Sequence, residues 1–344
     1  MPLPVGPPLK PMLAKLSEEM PRGEGWVYEP KWDGFRTIVF RDGDEVTLRS
    51  RNDRPLNRYF PEVERMLLEG LPDRCVVDGE IIMPTANGLD FDGLQNRLHP
   101  AASRVNKLAA ETPASFVAFD LLAADNALLM DEPLSVRQAK LDELLKAATP
   151  KSPTEPALHA APCLFLTPRT TDADEAQSWF VELERVGCDG IIAKRADLTY
   201  QPDVRAMVKI KHRRTADCVV IGYRTHKNGG IGSLLLGVYD GDDLRFVGHT
   251  SSFSAKERKE LVTKLEPLRT DPPEGFDTDF GPGGQSRWSG AREGGDWNPI
   301  EQTLVCEVSY DYVTGDRFRH AARFHAWRED KDPKDCLFEQ LRYQ

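Results

Sequence analysis

The sequence has no long hydrophobic segment. No stretch approaches the roughly 18 consecutive apolar residues that a membrane-spanning helix requires. Its first residues, Met1-Pro2-Leu3-Pro4, also lack the basic and then apolar segments of a secretory signal peptide. These two absences predict a cytoplasmic protein with no membrane partner.

The sequence also has little that could cross-link the chain or bind zinc. Its six cysteines form no CxxC pair, and its seven histidines show no metal-ligand spacing. Most of the cysteines lie in apolar segments such as Arg74-Cys75-Val76-Val77, which is typical of buried free thiols. We therefore expect neither a disulfide framework nor a zinc module.

The sequence has fewer basic than acidic residues. The chain has 45 Lys and Arg against 55 Asp and Glu, a formal net charge of -10, which argues against a general polyanion binder. One segment departs from this balance, because residues 205–214 contain five basic side chains and no acidic one: Arg205, Lys209, Lys211, Arg213 and Arg214. Charges act over about 10 Å at modest salt, so this basic strip suits a phosphate backbone, with a solvated surface strand as the alternative.

The 344 residues are enough for two domains, and the character of the sequence changes once. In the first part strands and helices are mixed, whereas from Thr215 onward short β-runs and turn signals dominate, with one helix after Ser254. About five strands and one helix in this second part favour a small barrel of the oligonucleotide-binding (OB) type. We therefore predict an α+β protein with domains at 1–213 and 214–344.

Local signals predict several helix ends and loops. Capping-box spacing occurs three times, at Ser135 with Gln138, Asp172 with Glu175, and Ser254 with Glu257. Gly187 is predicted to stop the helix that Asp172 begins. Segments 149–162 and 270–299 are predicted loops, the second of them long enough to be a functional loop.

The most informative segment is Tyr28-Glu29-Pro30-Lys31-Trp32-Asp33-Gly34-Phe35-Arg36. A lysine between apolar residues and a turn, with an acid and an arginine nearby, suits a covalent nucleophile, but this short pattern also suits an ordinary hairpin. The motifs that follow it decide between the two. They are Ser50-Arg51-Asn52, Asp78-Gly79-Glu80, Phe119-Asp120, Asp189-Gly190-Ile191-Ile192-Ala193-Lys194, Lys209-Ile210-Lys211 and Arg328-Glu329-Asp330-Lys331.

This ordered set resembles the motifs of the covalent nucleotidyltransferases and, among them, those of the ATP-dependent DNA ligases. Within that family the sequence is similar to the compact actinobacterial C-type ligases, a resemblance that Ala206-Met207-Val208-Lys209 and Gly232-Ser233-Leu234-Leu235-Leu236-Gly237 support. The resemblance implies a nucleotidyltransferase (DNA ligase/mRNA capping enzyme) domain followed by an OB-fold barrel. It also implies an enzyme that uses ATP to seal nicks in duplex DNA, through a lysyl-AMP and a 5′-adenylylated DNA intermediate, in DNA repair.

The same resemblance implies the nucleotide site. Lys31 would form the lysyl-AMP, and Glu29 and Phe119 would frame the adenine. The implied nucleotide-binding set is Glu29, Lys31, Arg36, Arg51, Glu80, Phe119, Lys209, Lys211, Arg328 and Lys331, with Lys31, Lys209 and Lys211 as the catalytic residues. From the residues alone, Phe119 also suits a core position, Arg51 a loop charge, and the lysine pair 209 and 211 a solvated strand edge.

Nucleophilic attack requires a neutral amine at Lys31. A lysine with a pKa of about 10.4 is almost entirely protonated at pH 7, so we expect like charge from Lys209 and Lys211 and a bound cation to lower its pKa. The resemblance implies Mg²⁺ or Mn²⁺, with Glu80 and Asp189 as ligands. Two positions depart from the family pattern: most relatives have Glu in place of Asp189, and Trp is common where this chain has Met207.

The resemblance also implies DNA contacts and a moving second domain. Arg51, Arg213 and Arg214 are the predicted contacts to nicked double-stranded DNA, which the 270–299 loop would help to bind. Arg328, Asp330 and Lys331 would orient the pyrophosphate after a hinge motion at 211–215, with a solvated charged turn as the alternative. We expect a monomer, with other repair enzymes as possible partners.

Two other functions stay open at this point. A GTP-dependent RNA guanylyltransferase (capping enzyme) shares the Lys-x-Asp-Gly motif and the barrel. A non-catalytic DNA-binding scaffold would keep the fold, although the loss of a motif lysine is expected of such a protein and is not seen here.

Overall fold

The computed structural model describes residues 2–86, 88–146, 162–185, 187–212, 214–272 and 297–341. The chain divides into two compact units, Met1–His212 and Arg213–Gln344. Most of the predicted 149–162 loop, residues 273–296 of the predicted 270–299 loop, and Arg213 lie outside the described residues. Within the described ranges no helix has both the length and the apolar character needed to cross a membrane.

The first unit mixes strands and helices. Its strands are β1 (Leu13–Ser17), β2 (Trp26–Pro30), β3 (Phe35–Asp42), β4 (Glu45–Ser50), β5 (Arg74–Ile82), β6 (Pro84–Thr85), β7 (Gly88–Leu89), β8 (Ser115–Ala124), β9 (Ala127–Leu128), β10 (Leu164–Leu166), β11 (Ile191–Arg195) and β12 (Arg205–Ile210). Its helices are α1 (Pro61–Gly70), α2 (Phe91–Asn96), α3 (Ala102–Glu111), α4 (Leu134–Leu145) and α5 (Ala173–Glu182).

The second unit is mainly β. Its strands are β13 (Arg214–Thr225), β14 (Ile231–Asp240), β15 (Asp243–Thr250), β16 (Asn298–Pro299), β17 (Val305–Tyr310), β18 (Val313–Thr314), β19 (Arg317–Phe318) and β20 (Arg323–Trp327), and its helix is α6 (Ala255–Leu265). Short 3₁₀ helices occupy Asn57–Tyr59 in the first unit and Glu266–Leu268, Pro333–Asp335 and Phe338–Leu341 in the second.

Two main sheets build the first unit. Sheet I has the order β1-β12-β11-β2, and sheet II has the order β10-β8-β5-β3-β4. Strands β5 and β8 lie in the middle of sheet II, and nearly all of their residues are buried because elements cover both faces. In sequence these two strands are therefore continuous apolar segments, without the alternation of apolar and polar residues that a half-exposed strand shows. The mixed sheets and helices confirm the α+β prediction.

The chain crosses from sheet I to sheet II between Pro30 and Phe35. Strand β2 pairs with β11, whereas β3 pairs with β4 and β5, so the two strands on either side of Lys31 do not form a hairpin. Gly34 lies in this crossing, where a Cβ would collide with the carbonyl oxygen of Ile81. The hairpin alternative is therefore wrong for Lys31, while the hairpin around Gly43 is present between β3 and β4.

The second unit is built on an antiparallel sheet, sheet III, with the order β15-β14-β13-β17-β20. An isolated bridge between Thr250, at the end of β15, and Ala322, just before β20, brings the two edges of this sheet together. Helix α6 packs its buried Leu261 and Leu265 into the core that the sheet encloses. A closed five-stranded sheet with one helix is consistent with the predicted OB-fold barrel.

The predicted helix caps have different outcomes. The Ser254–Glu257 capping box is present in full. Asp172 caps α5 through the N–H groups of Asp174 and Glu175, but the side chain of Glu175 accepts a hydrogen bond from Thr170.

Two of the predicted helix ends are wrong. Helix α4 begins at Leu134 with Pro133 at the cap position, so it has no side-chain cap, and α5 ends at Glu182, before Gly187. Gln138 does not complete a capping box with Ser135, and its amide binds Glu29 instead.

Candidate active site

A cavity of about 180 Å³ lies between sheets I and II. Its sheet I side includes Glu29 of β2, Ile192 and Lys194 of β11, and Met207 and Lys209 of β12, beside Leu13 and Ala14 of β1. Its sheet II side includes Arg36 of β3, Glu80 of β5 and Phe119 of β8, and Lys31 and Arg51 complete the lining. The structure therefore brings together residues from six of the motifs found in the sequence.

Lys31 is held against Asp189 by both backbone and side chain. The N–H of Lys31 donates to the carbonyl of Gly190 at 2.8 Å, and the carbonyl of Lys31 accepts from the N–H of Asp189 at 2.8 Å. Gly190 has a φ of +128°, and a Cβ there would collide with the carbonyl oxygen of Ile210. The glycine after Asp189 is thus required for this close pairing.

The Asp189 carboxylate binds two lysines at once. Its Oδ2 lies 2.8 Å from Nζ of Lys31 and 2.6 Å from Nζ of Lys211. These side chains come from three separate positions, before β3, before β11 and after β12. The predicted association of Lys211 and Asp189 with Lys31 is therefore present in the structure, with Asp189 between the lysines.

This arrangement reverses the expected effect on the nucleophile. Burial lowers the pKa of Lys31, but the charge and hydrogen bond of Asp189, with further acidic charge from Asp33 and Glu80, outweigh it and raise the pKa above its ordinary value. The pKa of Lys209 is lowered instead, by burial and then by the positive charges of Lys211 and Lys31. The expectation of a lowered pKa at Lys31 is wrong for this structure, because Asp189 separates the like charges.

Glu29 is a buried carboxylate with both oxygens engaged. Its side chain is 3% exposed. Nζ of Lys194 lies 2.7 Å from Oε2, and Nε2 of Gln138 donates to Oε1 at 2.8 Å. Burial raises the pKa of Glu29, while the charge of Lys194 opposes that rise. Gln138 lies 109 positions from Glu29 on helix α4, and no sequence signal linked the two.

Arg36 is held by a residue that the sequence analysis did not single out for a role. Its Nε and Nη2 donate to Oδ1 and Oδ2 of Asp78, each at 2.7 Å, in a bidentate pair. The hydroxyl of Tyr200 donates to the same Oδ2 at 2.6 Å. In the sequence Asp78 is the first residue of the Asp78-Gly79-Glu80 motif, with no role predicted for it. Tyr200 belongs to no motif and lies 122 positions from Asp78.

Phe119 is both a buried residue and a cavity wall. Its exposure is 6%, and Cζ of Arg36 and Nζ of Lys194 lie 4.3 Å and 4.9 Å from the ring centroid. Phe119 is therefore a buried core residue and at the same time part of the cavity wall, so the two alternatives do not exclude each other. A ring that lines a cavity beside two cations is available for stacking against an aromatic base.

Glu80 and Asp189 are the carboxylates that the resemblance assigns to a metal ion. Burial raises the pKa of Glu80 to about 7, against the lowering effect of Arg36 and Lys31. Among the described residues no group of three or more His, Cys, Asp or Glu side chains is arranged to hold a metal by itself. Two carboxylates nevertheless fit Mg²⁺, which commonly binds one or two of them and completes its shell with phosphate oxygens and water.

The predicted DNA contacts are spread over the chain. Arg51 is exposed and also lines the cavity, beside Lys31, Arg36 and Glu80. Arg214 donates through Nη1 to the carbonyl of Asp311, and its Cζ lies 5.3 Å from the ring centroid of Tyr312. Arg213 lies outside the described residues.

The motif near the C-terminus belongs to the second unit. Nη1 of Arg328 donates to both carboxylate oxygens of Asp217, at 3.0 Å and 3.2 Å, and Nζ of Lys331 lies 2.7 Å from Oδ2. Asp330 binds the other edge of the Arg328 guanidinium at 2.9 Å and 2.8 Å. Asp217 of β13 therefore contacts both cations of this partly exposed cluster. No motif in the sequence pointed to Asp217.

Comparison with known proteins identifies the family. Residues 11–211 match the ATP dependent DNA ligase domain, and residues 227–331 match the ATP dependent DNA ligase C terminal region. The chain belongs to the ATP-dependent DNA ligase family. This result confirms the resemblance that the motifs indicated.

The similarity extends to particular ligases. The chain is 49% identical over 355 residues to DNA ligase C2 of Mycolicibacterium smegmatis, covering 99% of this chain and 96% of that protein. Identity to DNA ligase C of Mycobacterium tuberculosis is also 49%, with the same coverage. The compact C-type ligases are therefore the part of the family that this chain resembles, as predicted.

A solved structure supports the same assignment. The ligase domain of LigD from M. tuberculosis is 30% identical, with a TM-score of 0.50, and the match covers 96% of this chain and 98% of that domain. The nucleotidyltransferase unit followed by a C-terminal unit is thus shared with a known ligase domain.

Proposed function

We propose that this protein seals nicks in duplex DNA with ATP, and that Lys31 carries the adenylyl group. The observation that supports this most directly is the position of Lys31 in the wall of the cavity between sheets I and II, paired with Asp189 and beside Arg36, Glu80 and Phe119. The related proteins named DNA ligase C support the choice of DNA as substrate.

In the first step the neutral amine of Lys31 attacks the α-phosphorus of ATP. A bond forms between Nζ and phosphorus, the bond from the α-phosphorus to its bridging oxygen breaks, and pyrophosphate leaves with that oxygen. The proton of the amine is released. The cavity sets this reaction up by holding the nucleotide next to Nζ, because positioning converts a bimolecular attack into a local one.

Two further transfers complete the reaction. An oxygen of the 5′-phosphate attacks the lysyl-AMP phosphorus, which returns the lysine amine and leaves adenylylated DNA. The 3′-hydroxyl then attacks the 5′-phosphate, so that AMP leaves and the phosphodiester bond forms. All three steps move charge between phosphate groups, for which closely placed cations such as Lys209 and Lys211 are suited.

The other residues of the cavity each bind a different part of the nucleotide or of the nick. Glu29 and Phe119 contact the adenine, and Arg36 and Glu80 hold the ribose and its surroundings. Arg51 binds the 5′-phosphate of the nick from the cavity rim. The bidentate hold of Asp78 on Arg36 supports this assignment, because it fixes the guanidinium in the cavity wall.

Glu80 and Asp189 would hold Mg²⁺ or Mn²⁺ during this chemistry. Bound there, the ion would neutralise phosphate charge and offset the carboxylate charge that raises the pKa of Lys31. Oxygen ligands of this kind match the preference of both ions.

We assign catalysis to residues 1–213 and a DNA-binding OB fold to residues 214–344. Arg328 and Lys331 of the second domain support the adenylylation step by orienting pyrophosphate, and Arg213 and Arg214 contact DNA. We propose that the enzyme acts as a monomer in DNA repair in the bacterial cytoplasm, where it meets other repair enzymes.

A single set of reactions tests the activity. The protein is incubated with Mg²⁺ and a nicked duplex that carries a 5′-phosphate, and with ATP, GTP or NAD in separate samples. We expect sealed product on a denaturing gel only with ATP, and one added adenylyl group in the intact mass. A guanylyl adduct would point to a capping enzyme, and DNA binding without any adduct would point to a scaffold.

A further inference from the structure

The hydroxyl group of Tyr200 connects parts of the cavity that lie far apart in the sequence. Tyr200 is 4% exposed and lies in the connection between β11 and β12 of sheet I. Its hydroxyl donates to Oδ2 of Asp78 at 2.6 Å and accepts from the N–H of Met12 at 3.1 Å. Met12 lines the cavity, and Asp78 lies in β5 of sheet II. One hydroxyl thus joins β5 of sheet II to the residue just before β1 of sheet I.

Asp78 has no access to water and depends on the groups around it. Its side chain is 0% exposed, and Oδ2 accepts from both Nη2 of Arg36 and the hydroxyl of Tyr200. If the tyrosine hydroxyl were lost, Oδ2 would keep the Arg36 charge but would have a buried acceptor position with no donor, which favours a rotation of the carboxylate to recover a partner. The Tyr200 hydroxyl therefore fixes the rotation of the Asp78 carboxylate.

The rotation of Asp78 in turn sets the plane of Arg36. A bidentate pair aligns the guanidinium with the carboxylate, so a turn of one turns the other. Arg36 lies in the cavity wall, with its Cζ 4.3 Å from the centroid of the Phe119 ring. Removal of the Tyr200 hydroxyl would therefore shift Asp78, then Arg36, and then the packing of Arg36 on Phe119. No direct contact between Tyr200 and Phe119 is required.

We propose that Tyr200 is a positioning residue for ATP, which acts through Asp78 to hold Arg36 in its binding orientation. The inference rests on the proposed function, in which Arg36 contacts the nucleotide. It extends the site beyond the sequence motifs, because Tyr200 belongs to none of them.

The test compares Tyr200→Phe with a matched tyrosine variant. Tyr28 is also buried in the first unit, and its hydroxyl donates to the carbonyl of Pro21 at 2.6 Å, so Tyr28→Phe removes the same group away from Arg36. For each full-length variant, the rate of nick sealing is measured as a function of ATP concentration. Thermal unfolding is measured on the same samples.

We expect Tyr200→Phe to raise the KM for ATP roughly tenfold, the scale of one hydrogen bond to a charged group. The rate at saturating ATP should change by less than about twofold, since the loss is one of binding. Tyr28→Phe should leave the KM unchanged. An unchanged KM in Tyr200→Phe, with or without a lower unfolding temperature, would show a purely structural role and overturn the proposal.

A double-mutant cycle with Arg36→Ala separates this proposal from the assignment of Arg36 itself. If Tyr200 acts through Arg36, Tyr200→Phe should add nothing to the KM of the Arg36→Ala variant. A full additive increase would mean that Tyr200 acts through Met12, and the proposal would be wrong. A normal KM in Arg36→Ala alone would instead remove Arg36 from the proposed nucleotide site. If Tyr200→Phe does not fold, Asp78→Asn replaces it in the double-mutant cycle with Arg36→Ala.

Discussion

Each unit of this ligase uses an aspartate to hold an arginine, but the two aspartates lie in different surroundings. In the first unit the side chain of Asp78 is 0% exposed, and that of its partner Arg36 is 22% exposed. In the second unit the side chain of Asp217 is 13% exposed and that of Arg328 is 32% exposed. Asp78 binds a buried tyrosine as well as its arginine, whereas in the second unit the arginine itself binds a further carboxylate, that of the exposed Asp330.

The difference in exposure indicates which of the two arginines can exchange its aspartate for another partner. A buried carboxylate that loses its cation stays uncompensated, because no water replaces the lost contact. An exposed cation can exchange a carboxylate for water or for a phosphate at little cost. The Asp78 cluster is therefore suited to a permanent wall of the cavity, and the Asp217 cluster to groups that bind a substrate during one step and release it afterwards.

The largest effect is expected at the nucleophile in the first unit. Lys31→Ala should abolish the covalent AMP adduct, and Lys31→Arg should do no better, because arginine keeps its proton and offers no neutral amine. Intact-mass analysis after incubation with ATP and Mg²⁺ measures the adduct. Lys107→Arg, at an exposed position of α3, serves as the control. An adenylate mass that persists in either Lys31 variant would place the nucleophile elsewhere.

The second prediction tests the comparison by stability. Asp78→Ala should lower the free energy of unfolding of the first unit by about 3–5 kcal/mol, the usual loss when a buried ion pair loses one partner. Asp217→Ala should cost the second unit much less, since Arg328 keeps Asp330. Urea unfolding followed by hydrogen exchange reports each unit separately, and Asp131→Ala provides an exposed control in the first unit. Equal losses in the two units would contradict the comparison.

The third prediction tests the substrate role of the exposed cluster. Arg328→Ala should slow self-adenylylation by about 10²-fold, the scale for removing a positioned electrostatic donor. The same variant should still seal DNA that already carries a 5′-AMP group. Both activities are measured on the full-length protein beside Arg323→Ala, a variant of an exposed arginine in β20. Failure of both reactions in folded protein would assign Arg328 to the DNA-binding surface instead.

The smallest effect is expected at the edge of the basic strip. Despite the net charge of -10, binding to nicked duplex should depend strongly on salt. If about five phosphates face the strip, log K against log salt should have a slope of about -4 to -5, and Arg214→Ala should flatten it by about 1. Arg214→Lys, which keeps the charge, is the control. A slope that is the same in all three proteins would place the DNA on another surface.

Much of the site was predictable because its residues lie in short motifs whose order along the chain resembles that of a known family. The segment from Glu29 to Arg36 contains the proposed nucleophile, a crossing between two sheets and the glycine that this crossing requires. Likewise, the glycine after Asp189 is needed where that residue pairs with Lys31. The order of the motifs and their resemblance to a known family revealed these features, whereas the contacts that require the two glycines, with Ile81 and Ile210, are seen only in the fold.

Other predictions failed because distant contacts changed the local outcome. Gln138 has the spacing of a helix-capping residue, but its amide binds Glu29 on another element. The pKa of Lys31 was expected to fall, yet Asp189 lies between Lys31 and Lys211 and raises it. In both cases the residues were recognised, and the geometry between them was not available from the sequence.

The sequence by itself determined the family, the order of the motifs and the identity of the candidate nucleophile. Only the tertiary structure decided which residues support them: Tyr200 behind Asp78, Gln138 beside Glu29, and Asp217 between Arg328 and Lys331. The physical reason is that buried polar groups must find partners wherever the folded chain brings a donor or acceptor within hydrogen-bond distance. These partners lie more than 100 positions apart in the sequence, and no local pattern indicates them.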